Sequence, residues 1–501
     1  MSLASPVQLL NDAARLAPDT VAYVCGDASL TYAEAGRIAN GLREVLAGMG
    51  AEGRAVALVL PNGIPVCLYS FAAQSAGAMA CTVNPAYTAR ELGQVMGDAE
   101  PAVIVCGEGT EPAVRAAAPE GARVVVVPDD TRAWLADVPR ADGPLPVPAP
   151  DVIGTLQYTG GTSGRPKGVM LTNGAVARNI EQREAVLPTT AGDERVLCVM
   201  PLFHVFAQSM CLHLTAMARG TLVILPRYGA GDTLDAIERH RITRFPAGPT
   251  VFNGLIATPG FEARDWSGLR CAYSGSAPLS VATLTRWEAA TGAPIYEGYG
   301  QTEAGPILTF NGPGAPARPG TVGLPVEGTE IRLLDLADPT RDASPGEAGE
   351  IAARGPQVMS GYKGLPAETA EALPDGWLRT GDVGRFDEAG YLVIEDRKKD
   401  LVLVGGYNVY PREVDEVLMG CPGVQEAAVI GVPDSYRGER LVAYVVGSVG
   451  EAGLRAHCEE RLVRYKQPFD YVLTDALPRT PAQKIDKRAL REAHGTRADV
   501  A

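Results

Sequence analysis

Between residues 158 and 173 the chain reads Tyr-Thr-Gly-Gly-Thr-Ser-Gly-Arg-Pro-Lys-Gly-Val-Met-Leu-Thr-Asn, expected to be a single short loop of a composition suited to holding phosphates. Gly160, Gly161, Gly164 and Gly168 permit positive φ and close backbone approach, so amide N–H groups can face anionic oxygens. Thr159, Thr162 and Ser163 add hydroxyl donors, and Lys167 adds a positive charge. A Walker loop runs Gly-Lys-Ser/Thr straight into a helix. Here Pro166 precedes the lysine and Gly168 follows it, which sets an ordinary P-loop ATPase aside. On composition alone a polar turn is the simpler reading, so the function rests on whether distant segments agree.

Further clusters of reactive side chains follow apolar runs. Pro201-Leu202-Phe203-His204-Val205-Phe206 places His204 and Phe206 directly after a strand-like run, although a lone histidine there is usually structural. Ser274-Gly275-Ser276-Ala277-Pro278 also follows such a run, and its small residues would let a planar base lie against the backbone. Its partner is Tyr296-Glu297-Gly298-Tyr299-Gly300-Gln301-Thr302-Glu303. Thr380-Gly381-Asp382 and the charged run from Glu395 through Arg397 and Lys399 to Gly405 and Gly406 come next. By itself that run is a solvated charge cluster, and Lys484 is a solvated lysine of the tail.

Taken together and in order, these segments resemble the adenylate-forming superfamily, which includes acyl-CoA synthetases, luciferases and the adenylation domains of peptide synthetases. Tyr299 to Glu303 matches the family's Tyr-Gly-any-Thr-Glu motif. The resemblance implies adenine stacking by Tyr299 beside Gly300 and the 274–278 segment, an α-phosphate contact from Thr302, and Mg²⁺ on Glu303. Mg²⁺ prefers hard oxygens and commonly shares one carboxylate with nucleotide phosphates, which fits. It also implies Asp382 on the ribose hydroxyls with Arg397 nearby, and His204 and Phe206 in the carboxylic acid pocket. Lys399 would be the interdomain hinge, Gly405 and Gly406 the wall of the coenzyme A tunnel, and Lys484 the adenylation lysine. The family usually has glycine before that lysine; this chain has Gln483. Gly160, the run Gly355-Pro356-Gln357-Val358-Met359 and the run from Asp396 to Asp400 look most like the long-chain fatty acyl-CoA ligases.

The resemblance therefore implies an AMP-forming acyl-CoA synthetase that takes ATP, Mg²⁺, coenzyme A and a hydrophobic carboxylic acid. A half-reaction enzyme starting from a preformed acyl-adenylate, an enzyme that loads a carrier protein, and a homodimer stay open at this point.

The elements that must position these residues can be read from pattern. With 501 residues and 46% hydrophobic composition there is material for more than one core. A net charge of −14 argues against nucleic acid or an anionic membrane as partner. Nine scattered cysteines without a CxxC or Cys/His cluster read as reduced, buried thiols of a cytoplasmic protein. The N-terminus has no basic stretch ahead of an apolar one, so no signal peptide is expected.

Thr31 with Glu34 forms a capping box ahead of a helix, and residues 66–83 read as one buried helix. Apolar runs at 55–60, 102–106, 123–127, 196–200, 221–225, 242–245, 269–274 and 294–297 alternate with helical patterns, which predicts parallel sheets. Residues 318–396 predict a small antiparallel barrel or sheet, and residues beyond 397 a compact α+β unit. The expected fold class is α/β: a large N-terminal domain of two parallel-type subdomains plus a small β-barrel, then a small mobile C-terminal domain. The expected division is 1–396 and 397–501, with the lid domain carrying Lys484.

Overall fold

The computed structural model describes residues 3–159, 166–314, 318–405, 407–434, 436–480 and 484–498. The expectations for Gly160, Gly161, Thr162, Ser163, Gly164, Gly406 and Gln483 lie outside those residues.

Two large sheets carry the N-terminal part. In one, seven strands run in the order Gly361–Tyr362, Lys167–Thr172, Ile153–Thr159, Met79–Thr82, Ala55–Val59, Val103–Gly107 and Arg123–Val127. Its Val/Ala-rich central strands are buried along their whole length, as parallel strands with helices on both faces must be. The nine-stranded sheet is parallel through Ile295–Gly300, Cys271–Ser274, Arg244–Ala247, Arg195–Cys198, Thr221–Ile224 and Val21–Cys25, with antiparallel strands at its edges. Strands of both sheets end toward the segments singled out above, as ligand sites in open α/β sheets require.

The antiparallel unit is a four-stranded sheet of Glu330–Leu334, Gly349–Arg354, Leu378–Phe386 and Leu392–Arg397. Beyond it lies a separate small α+β domain with apolar clusters of its own. Val414, Leu418, Leu454 and Cys458 cover one face of its sheet, and Leu490 of the last helix covers the other.

The capping box forms: Thr31 accepts from the Glu34 N–H and Glu34 accepts from the Thr31 N–H, and the helix runs Tyr32–Gly48. Two readings need correction. The apolar run at 66–83 is not one helix; Ile64–Ser75 is helical and wholly buried, the chain turns at Ala76 and Gly77, and Met79–Thr82 is a central strand. A buried helix and a buried parallel strand look alike in an apolar run. Residues 158–173 are not one loop either. Thr159 pairs with Lys167 across an antiparallel hairpin, and Lys167–Thr172 is a strand that leads directly into the helix Asn173–Val186. All nine cysteines are buried and unpaired. Among the described residues no helix is long and apolar enough to cross a membrane.

Candidate active site

The sequence-predicted residues gather in a cleft where strand ends of the two large sheets meet the C-terminal domain. Ser274, Gly275 and Ser276 leave the strand Cys271–Ser274, and Ser276 holds a positive φ of 70°. A Cβ on Gly275 would sit 2.8 Å from the Phe206 ring, so only glycine lets the 274–278 segment pass that ring. Gly300 is as constrained: a Cβ there would lie 1.8 Å from the Pro306 carbonyl oxygen. Ser274 is fully buried, and its hydroxyl has no hydrogen-bond partner among the described residues.

Tyr299 and Asp382 are brought together from strands far apart in sequence. The Tyr299 hydroxyl donates to Asp382 Oδ2 at 2.8 Å, and Arg397 Nε lies 3.2 Å from Asp382 Oδ1. Burial raises the Asp382 pKa despite the opposing charge of Arg397. Glu303 stands in a short turn, Thr302–Ala304, beside buried Thr302. Tyr362 donates to Glu303 Oε1 at 3.0 Å, while Lys167 Nζ lies 4.9 Å from the centroid of the Tyr362 ring. One tyrosine thus supports both the carboxylate expected to hold metal and the lysine of the phosphate loop. Sequence reasoning assigned Tyr362 no role; the only signal was its place just after the Gly355–Met359 stretch.

The C-terminal domain reaches into this cleft. Lys484 lies close enough to Arg397, Asp382, Glu303 and His204 for their charges to act on one another. The approach is held by Arg479 Nη1 donating to Thr250 at 2.7 Å and by the Val281 N–H donating to Glu416 at 2.7 Å. Lys399 sits in the turn Lys398–Asp400 at the junction, next to Lys398, which pairs with Glu350, and Asp400, which pairs with Arg491. Gly405 is in the turn of a C-terminal hairpin and donates to the Arg437 carbonyl, outside the cluster around Lys484.

Electrostatics fix the protonation states. His204 Nδ1 accepts the Phe206 N–H at 3.2 Å, and burial together with Lys484 pushes the histidine down to about 3. The ring is therefore neutral, with its proton on Nε2, and can donate to a carboxylate oxygen. Burial and then Arg397 lower Lys484 to about 8. Burial raises Glu303.

The donor set fits nucleotide and metal. Lys167, Arg397 and Lys484 supply positive charge near Tyr362, Asp382 and Glu303, and Glu303 with Thr302 offers hard oxygens. Among the described residues no group of three or more His, Cys, Asp or Glu could hold a metal. One carboxylate shared with phosphate oxygens is the arrangement Mg²⁺ accepts.

If Lys484 acts as the adenylation lysine that the resemblance implies, it acts as a cation, and kcat/KM for the acid should fall as pH rises through about 8. Stability should respond in the opposite sense. A lysine whose folded pKa lies below its unfolded value destabilises the fold while charged, and that penalty eases as pH rises from about 8 toward 10.5. A pH–rate profile beside a pH–melting series separates loss of this proton from unfolding.

An AMP-binding enzyme family model matches residues 10–363, and an AMP-binding enzyme C-terminal domain model matches residues 413–484. A long-chain-fatty-acid–CoA ligase of Bacillus subtilis is 42% identical over 346 residues, covering 68% of this chain and 61% of that ligase. A feruloyl-CoA synthase of Amycolatopsis is 38% identical over 494 residues, covering 96% of this chain and 97% of the relative. The crystal structure of an anthranilate CoA ligase with anthranoyl-AMP superposes with a TM-score of 0.92 at 28% identity, covering 98% of each chain. The chain therefore belongs to the AMP-binding, adenylate-forming enzymes and is an acid–thiol ligase that uses ATP, Mg²⁺ and coenzyme A.

Proposed function

We propose that this enzyme activates a hydrophobic carboxylic acid, of the fatty or bulky aryl kind, as its acyl-adenylate and then passes the acyl group to coenzyme A with release of AMP. The observation that carries the reading is the placement of Lys484, delivered by a separate domain into a cleft that already holds His204, Glu303 and Asp382.

The acid is ionised at neutral pH and attacks the α-phosphorus of ATP without a general base; the P–O bond to pyrophosphate breaks as the acyl–O–P bond forms. The obstacle is repulsion between anions. His204 Nε2–H orients the attacking carboxylate, and Lys484 Nζ, the Thr302 hydroxyl and Lys167 spread positive charge over the oxygens that gain charge. Mg²⁺ held at Glu303 supplies further charge neutralisation when bound. Asp382 accepts from the ribose hydroxyls, and Tyr299 with the 274–278 segment holds the adenine. With the domains dividing at 396/397, Lys399 serves as the pivot in this reading, and rotation about it withdraws Lys484 and admits the thiol along the wall assigned to Gly405 and Gly406.

The deciding assay incubates the protein with ATP, Mg²⁺, coenzyme A and a panel of fatty and aryl acids, and follows acyl-AMP and acyl-CoA by mass spectrometry. Thioester from a free acid supports the complete cycle. Thioester from supplied acyl-AMP alone would leave only the second half-reaction, and transfer to a carrier protein but not to coenzyme A would move the acceptor.

A further inference from the structure

Beyond Phe206 the helix that begins at Val205 passes through a π-helical turn, Gln208–His213, and continues as Leu214–Ala218. Such turns are rare and frequently mark functional positions. Ser209 and His213 are four residues apart in it, nearly one π turn, and so lie on almost the same face. Both are buried, and the Ser209 hydroxyl and His213 Nδ1 have no hydrogen-bond partner among the described residues.

Arg183, from the helix Asn173–Val186, stands next to His213 and acts on it electrostatically. Its side chain is 0% exposed; one nitrogen, Nη2, lies 3.3 Å from Glu184, whereas Nε and Nη1 lack partners. On its other side Arg183 neighbours Tyr273 and Arg244. Arg244 donates to the Tyr273 hydroxyl and pairs with Glu194 at 2.9 Å, leaving its Nε unpaired. Tyr273 immediately precedes Ser274 and Gly275, and Gly275 touches Phe206. The cluster therefore lies beneath the acid segment. His213 lies seven residues beyond Phe206 along this helix.

Ten buried side-chain polar atoms lack a partner among the described residues, and five of them fall in this one cluster. Buried polar groups in folded proteins are almost always paired, and a donor left unpaired is costly. So many exceptions gathered under the segment that bears His204 and Phe206 are groups whose partner can arrive with a substrate. The cluster's charge is instructive, because Arg183 already has Glu184 and Arg244 already has Glu194. A second carboxylate would upset that balance. A hydroxyl suits the site: it accepts from a guanidinium N–H, and it meets a neutral imidazole nitrogen in either tautomer. Burial first, and Arg183 second, keep His213 neutral by pushing it down to about 3.

We propose that Arg183, His213 and Ser209 form a polar far end to the acid pocket and recognise a neutral oxygen, hydroxyl or alkoxy, carried by the substrate at the end remote from its carboxylate. This rests on the acid–thiol ligase reading with the carboxylate at His204. Both a cinnamic acid with a 4-oxygen and a medium-chain acid with a terminal hydroxyl present that chemistry.

The test compares kcat/KM for thioester formation within matched pairs: 4-hydroxycinnamic against cinnamic acid, and 8-hydroxyoctanoic against octanoic acid. The oxygenated member of at least one pair should win by about tenfold or more, because the parent leaves the buried donors unpaired. Whether the aryl or the aliphatic pair shows the preference identifies the skeleton. Arg183→Gln, His213→Phe and Ser209→Ala should shrink the ratio. The last two keep the guanidinium and decide the matter if the first does not fold. A wild-type enzyme that turns over the parents as well as the oxygenated acids overturns the proposal, as does a preference that survives all three variants; either would make the cluster a structural polar core. Absence of thioester from every acid is a different failure, that of the ligase reading itself.

Discussion

Lys484→Ala should cut acyl-adenylate formation from free acid and ATP by about 100- to 1,000-fold, the usual effect of removing one group that neutralises developing negative charge. Thioester formation from supplied acyl-adenylate and coenzyme A should change by only a few-fold. The asymmetry follows from position. Lys484 is the cation that the C-terminal domain adds beside Glu303, Asp382 and Arg397, and in the proposed mechanism charge builds there only while pyrophosphate is leaving. The variant should fold normally, because the native side chain carries a desolvation penalty that lowers its pKa to about 8, and alanine removes that penalty. Acyl-AMP and acyl-CoA measured separately by mass spectrometry check both halves. Equal loss in the two half-reactions, or none in the first, would overturn the assignment of Lys484 to adenylation.

Glu303→Gln should lower kcat/KM for adenylation by about 100-fold or more and raise the Mg²⁺ concentration needed for half-maximal rate. Glutamine keeps the shape and an oxygen that can still accept the Tyr362 hydroxyl, so Lys167 keeps its position over the Tyr362 ring. What is lost is one negative charge. Burial already raises the Glu303 pKa, so the neutral replacement should not lower the melting temperature. A magnesium titration of pyrophosphate release, run beside a thermal melt, tests this. An unchanged magnesium dependence at wild-type rate would show that the metal is held elsewhere.

Local signals were legible wherever one residue type acts on its own neighbours. The capping box at Thr31 and Glu34 marked the start of the helix Tyr32–Gly48, and the strand Arg123–Val127 falls where its pattern places it. Elements that depend on distant partners were not. The strand Lys167–Thr172 was hidden inside a glycine- and hydroxyl-rich stretch, because its evidence is pairing with Ile153–Thr159 and with Gly361–Tyr362. The short strand Asp470–Leu473 exists only against Val442–Val445.

The same division runs through the site. By itself the sequence offered residue types, a glycine- and hydroxyl-rich stretch, a Tyr-Gly-Gln-Thr-Glu run and a tail lysine, and only their resemblance to a family in the same order attached the proposed roles to them. Only the tertiary structure decided that Tyr362 would join Glu303 to Lys167, because a strand pairing brings that hydroxyl across 59 residues of chain. Likewise only the packing of a helix, a π turn and two strands reveals that Arg183 and His213 are buried neighbours with unsatisfied nitrogens. Residue type sets what a group can do. Burial and the company of groups remote in sequence set its charge, its free valences and so what it can recognise.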